Sequence, residues 1–140
     1  MATTITNNDP SIASERTYRD LDLNFTAHPV TKDVVRRYDE ESVKASLKNL
    51  ILTRNYERPF HSEIGSPVRA LLFDLVTPLT ALTVKRAIID VINNFEPRVS
   101  LNSVVAIEDL SNYGFNVTLK YTILNRDLPV ISTLFLERIR

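Results

Sequence analysis

The apolar positions of this chain change period along its length. The middle repeats every three to four residues and the last third every two, so helices hand over to strands. Before the helices, Leu21, Leu23 and Phe25 alternate with Asp20, Asp22 and Asn24. That predicts a short half-buried strand over Tyr18 to Phe25 with its acids on the outer side. His28-Pro29 reads as a turn, and Lys32 to Tyr38 offers a second short strand, through Val34-Val35, that pairs back on the first. Asp39 or Glu40 then opens a helix whose stripe is Val43, Leu47, Leu50 and Ile51, with Glu40 and Glu41 in the first turn, where the helix dipole favours anions. It ends near Arg54. Asn55 to Ser66 is a loop, and its Gly65 is one of only two glycines in the chain, a scarcity that implies a backbone geometry needing glycine. Pro67 suits the first position of a second helix, with Val68, Leu71, Leu72 and Leu75 as its buried stripe.

Thr77-Pro78 breaks that helix, and a longer one follows. Thr80 is its expected N-cap, and Val84, Ile88, Val91, Ile92 and Phe95 form a single apolar stripe. Pro97 ends it, having no amide to donate and pushing Glu96 out of the α region. Glu96 and Arg98 are therefore fixed at a helix-to-strand corner. Beyond it Val99 and Leu101 alternate, and Val104 to Ile107 is a more continuous apolar run. Ser111 to Gly114 is a turn. Phe115, Val117, Leu119, Tyr121 and Ile123 then alternate with Asn116, Thr118, Lys120 and Thr122, the cleanest strand pattern in the sequence. Asn125 to Pro129 turns the chain again. Thr133 to Ile139 reads as a third strand, although Ile131, Leu134, Phe135 and Arg138 also fit a short helix face. A meander of short connections favours the strand. The fold class is α+β: three amphipathic helices packed on a small, mainly antiparallel C-terminal sheet, with a short N-terminal extended segment. Residues 1–17, rich in Thr, Asn and Ser, read as a flexible arm, and 18–140 as one domain.

Composition narrows the chemistry. Lys plus Arg equals Asp plus Glu at 17 each, so no net field draws the 140 residues to nucleic acid or to an anionic membrane. The apolar fraction of 44% and charged fraction of 24% are those of an ordinary soluble protein. Without cysteine there are no disulfides or thiolate sites. His28 and His61 lack metal-site spacing, and no phosphate-binding glycine loop or nucleophile elbow is present, so no metal, cofactor or catalytic residue is assigned. The polar start lacks a secretory h-region, and no apolar run approaches the ~20 residues of a membrane span, so the expectation is a chain soluble and intracellular when made.

Two charged clusters remain. Glu96 and Arg98 either form a clamp within the chain at the helix end or engage a partner, with Arg98 supplying a planar fork. From the residues alone the internal clamp carries more weight, because such pairs are common. Arg54, Glu57 and Arg58 similarly make either a solvated turn or a second contact.

The run TPLTALTVKRAI…NNFEPRV from Thr77 to Val99, preceded by Thr53-Arg54-Asn55-Tyr56-Glu57-Arg58-Pro59-Phe60 and Ile64-Gly65, resembles the signature of the small baseplate-wedge family of contractile phage tails. That family has relatives in type VI secretion and other contractile injection systems. The resemblance covers roughly residues 40 to 140 and departs at Asn55-Tyr56, where many members have Gly. It reverses the weighting at the corner. By position, Glu96, Pro97 and Arg98 would meet other wedge subunits, and the Arg54, Glu57 and Arg58 segment would pack beside the corner with Phe60 buried. The resemblance implies a structural rather than enzymatic role in the virion tail baseplate, assembled in the host cytoplasm in multiple copies of a six-fold ring. It further implies that the sheet, over residues 115–123 and 131–139, takes strands of sheath subunits and so starts the sheath. The alternative is a lysozyme-like glycoside hydrolase, a label some members have carried. Glu57, Glu63, Asp74 and Glu96 supply carboxyls for it, but no Trp lines a sugar cleft.

Overall fold

The computed structural model describes residues 18–124 and 126–139. The arm expected over residues 1–17 lies outside the described residues. In order, the elements are β1 (Arg19–Leu21), β2 (Arg36–Tyr38), α1 (Asp39–Leu52), α2 (Val68–Leu71), α3 (Pro78–Phe95), β3 (Val99–Asp109), β4 (Gly114–Ile123) and β5 (Pro129–Glu137). Strands β1 and β2 pair antiparallel, and β3, β4 and β5 form an antiparallel meander with β4 in the centre. The fold is a mixed α+β one. The chain divides into two compact units between Asp39 and Glu40.

In the first unit two strands pair antiparallel, Arg19 opposite Tyr38 and Leu21 opposite Arg36. They are shorter than the expected 18–25 and 32–38, so Leu23, Phe25 and Val34-Val35 lie outside them, and the burial is inverted. Leu21, Leu23 and Phe25 are exposed, whereas Asp22 is only 6% accessible. Local polar bonds explain the inversion. Asp22 Oδ1 accepts from Nε and Nη2 of Arg37 at 3.0 and 2.9 Å, and from the Asn24 amide. Its carboxyl lies below its ordinary value, held there first by a hydrogen bond from the Thr26 side chain and, against the opposing effect of burial, by Arg37. A further antiparallel bridge joins Ala27 to Val34, and Tyr18 and Asp39 close the unit through the Asp39 amide and the Tyr18 carbonyl.

The second unit holds every buried hydrophobic residue among those described. Helix α1 turns Val43, Leu47 and Ile51 inward, with Leu50 half-buried. Helix α3 buries Ala81, Val84, Ile88, Val91 and Ile92, leaves Phe95 half-buried, and packs along β3. Its cap is Thr77, not Thr80. With Pro78 at the first helical position, the Thr77 hydroxyl accepts from the Thr80 amide at 3.2 Å, while the Thr80 hydroxyl donates back to the Leu75 carbonyl. Helix α2 is only four residues long and contacts α3. Val68 and Leu72 are buried as expected, but Leu75 is exposed. The amides of Phe73 and Asp74 bond to Ala70 and Leu71, a tighter winding that swings Leu75 off the stripe.

All five apolar residues of β4 are buried, Phe115 and Ile123 completely, while Asn116 and Lys120 face solvent. The apolar run in β3 is not buried on both faces: Val104 points inward, but Val105 and Ile107 are exposed. A register shift between Leu101 and Ser103 links its two halves. The last segment is a strand rather than a helix, starting at Pro129 rather than Thr133. Gly114, opposite Glu137, is tightly hemmed: a Cβ there would lie 2.5 Å from the Leu136 carbonyl and 2.6 Å from the Phe135 ring.

Candidate functional site

Helix α3 stops where Pro97 requires it to. Glu96, the residue after its last turn, has φ −123° and ψ 81°, and its amide makes the final helical bond to Ile92. Two residues on, the Arg98 carbonyl accepts from the Leu124 amide beyond β4, so the corner is fastened to the sheet. The side chains then do something the alternation does not foretell. Glu96 turns inward and is 4% accessible. Arg98 reaches back and grips it as a fork, Nε to Oε1 at 2.6 Å and Nη2 to Oε2 at 2.9 Å. Ser46 of α1 donates to Oε2 at 2.6 Å.

Of the two arrangements expected for this pair, the contacts within the chain are those of a clamp. The Glu96 carboxylate is satisfied within the chain, so the internal clamp is what the structure contains. Burial pushes the Glu96 carboxyl upward, yet the bonds from Arg98 and Ser46 together hold it below its ordinary value. What the corner presents outward is Pro97, which is exposed, and part of the Arg98 side chain, which is one quarter accessible. Sequence reasoning missed Ser46. Its only signal was a small polar residue beside Val43 and Leu47 on the buried flank of α1.

The second cluster is a closed loop between α1 and α2. Arg54 and Ser66 form a parallel bridge, and the Ser66 amide donates to the Thr53 carbonyl at 2.8 Å. Gly65 is required there by close approach rather than by φ, since a Cβ would sit 2.5 Å from the Arg54 carbonyl oxygen. Glu57 accepts from the Arg54 amide at 2.8 Å, which turns the chain across Asn55 and Tyr56. Arg54, Glu57 and Arg58 are all exposed. Phe60, expected to be buried, is completely exposed. With φ of 67° and full exposure, it is not used by the loop as a plug.

Against known proteins, residues 37–127 match the family model described as baseplate wedge protein gp25. The chain is 37% identical over 94 residues to baseplate wedge protein gp25 of Enterobacteria phage T4, covering 67% of this chain and 71% of that one. Among solved structures, it is similar to a chain of the anti-feeding prophage baseplate (TM-score 0.60, 18% identity, 88% of this chain and 87% of that chain). It also resembles a protein described as a putative tail lysozyme from Geobacter sulfurreducens (TM-score 0.59, 19% identity, 70% and 91% covered). A third is a chain of the type VI secretion baseplate complex (TM-score 0.55, 20% identity, 69% and 92% covered). Likeness at these identities concerns the fold. With the family match spanning more than half of the chain and passing through both clusters, this protein belongs to the gp25 baseplate wedge family.

Proposed function

We propose that this chain is a structural subunit of the baseplate wedge in a contractile tail, used in several copies around a six-fold ring and assembled in the host cytoplasm. The observation that carries the reading is the family match over residues 37–127, which encloses the clamped corner. Glu96 works indirectly: bound by Arg98 and Ser46, it stiffens the corner. Pro97 and the accessible part of Arg98 then meet other wedge proteins, with Arg54, Glu57 and Arg58 beside them in the contact. The helices back the C-terminal sheet, and the edges of β3 and β5 offer backbone groups to extended strands of sheath subunits. In this reading geometry is the product, and nothing is turned over.

A hydrolase reading draws only on the fold-level likeness to the Geobacter sulfurreducens protein. Its chemistry needs a carboxyl raised by an apolar setting. The Glu63 and Glu96 carboxyls are shifted the other way, Glu63 chiefly by its own backbone amide. Co-expression with the other wedge proteins tests the main proposal. Arg98→Ala is expected to lower stability, because the buried Glu96 loses its cation, and the chain that remains folded is expected no longer to co-purify with them. A folded Arg98→Ala chain that assembles normally removes the corner from the contact, and release of reducing ends from peptidoglycan by the wild type revives the hydrolase.

A further inference from the structure

The loop between α1 and α2 carries two aromatic side chains that nothing in its own chain accounts for. Tyr56 and Phe60 have φ of 66° and 67°, a region that bulky side chains avoid and that Gly or Asn adopts readily. Burial does not compensate for the strain, because Tyr56 is 84% exposed and Phe60 100%. The loop is nevertheless well closed. Besides the Thr53–Ser66 bond and the Gly65 contact at its neck, the Tyr56 amide donates to the Ser62 carbonyl at 3.0 Å and the Ile64 amide to His61 at 3.1 Å. Two aromatic rings are thus held outward on a fixed tip.

The charges on this tip are unevenly used. Glu57 is committed to the Arg54 amide, and Glu63 lies 3.2 Å from His61 Nδ1. Among the described residues no carboxylate pairs with the guanidinium of Arg54 or Arg58. The tip therefore offers apolar rings flanked by cations. Residues held at such backbone angles by the surrounding structure cluster at binding sites, and aromatic and Arg side chains are the usual anchors of protein interfaces.

We propose that Tyr56 and Phe60 anchor this loop in an apolar pocket of a neighbouring baseplate protein, with Asp or Glu on the pocket rim facing Arg54 and Arg58. The proposal rests on the wedge reading above and names, within it, the anchors and the chemistry of the surface that receives them. An anionic lipid surface also attracts aromatic rings and arginines, but membrane-binding segments use clusters of about four to eight basic residues. Two arginines on a chain of zero net charge fit a protein pocket better.

Tyr56→Asn, Phe60→Asn and the double variant test this through two measurements on the full chain. The first is its melting temperature in isolation. The second is its amount in tail particles purified from cells where the variant replaces the wild type. Melting is expected at or above the wild-type temperature, since Asn tolerates positive φ, while the double variant's content in particles drops about tenfold or more, the effect of losing interface anchors. Normal content in particles that also accept the wild type overturns the docking and leaves the wedge reading intact. A lowered melting temperature overturns it too, because the rings would then be serving their own chain. Wild-type chain that floats with phosphatidylserine vesicles, an effect lost in the double variant, assigns the tip to lipid instead. Particles that contain no wild-type chain remove the wedge reading and this docking with it.

Discussion

Glu96 shows how a single carboxylate can be legible in type and illegible in role. That a helix ends before Pro97 follows from the ring's geometry, and the structure agrees to the residue. Where the carboxylate points depends on Ser46, fifty residues earlier, and on a guanidinium that folds back across the proline. No local pattern carries that information. The same contacts give the site a pH dependence. Because the folded carboxyl titrates below its ordinary 4.5, its pairing contributes stability at neutral pH that is lost as pH falls through the folded value. Stability of the wild type is expected to decline on acidification below about 4.5, and Glu96→Gln to flatten that part of the profile while lowering the neutral plateau. Urea melts at pH 3 to 7 measure both. A wild-type profile that Glu96→Gln leaves unaltered would contradict the linkage.

At the scale of elements, the stripes of α1, α3 and β4 were readable because each alternation recurs often enough to settle both type and facing. Failures cluster where a polar bond or a tight turn overrides the period. Leu21, Leu23 and Phe25 form a shorter alternation than that of β4, and it fails because β1 ends at Leu21, the chain turns from Asp22 to Phe25, and Asp22 is held inward by Arg37, Thr26 and the Asn24 amide. Leu75 leaves the α2 stripe because the winding tightens after Leu71. The α3 cap is Thr77 and not Thr80 because a proline at the first helical position makes the preceding threonine the natural acceptor. Thr77→Ala is accordingly expected to cost about 1 kcal/mol, and Thr77→Asp to retain most of the stability. Equilibrium denaturation of the two variants tests it; equal stability of Thr77→Ala and wild type would show the cap to be idle.

For the whole molecule the asymmetry between the two units is the main fact. Every buried hydrophobic among the described residues follows Asp39, while among its described residues the first unit buries only Asp22 and Asp39. A chain beginning at Glu40 should therefore melt cooperatively within a few degrees of the full chain. Leu47→Ala, in contrast, should cost about 2–5 kcal/mol. Calorimetry on both separates the contributions, and a chain from Glu40 that fails to fold would mean the hairpin supplies more than its exposed residues suggest. Fold class was within reach of the sequence because three amphipathic patterns and one strict alternation leave few other architectures. The exposure of Tyr56 and Phe60 was not, because no period in the sequence says which aromatic of a loop is left in solvent.

One consequence of the Glu96 knot extends beyond its own neighbourhood. Ser46, Glu96 and Arg98 rivet the first helix of the larger unit to the point where the last helix becomes sheet. Prising those parts asunder would leave Glu96 and Arg98 paired but break the Ser46 bond to the carboxylate, a hydrogen bond to a charged group of about 1.5–3 kcal/mol. A tail that changes shape around this subunit would accordingly find no hinge at that joint, and the bending would fall to the seams with its neighbours.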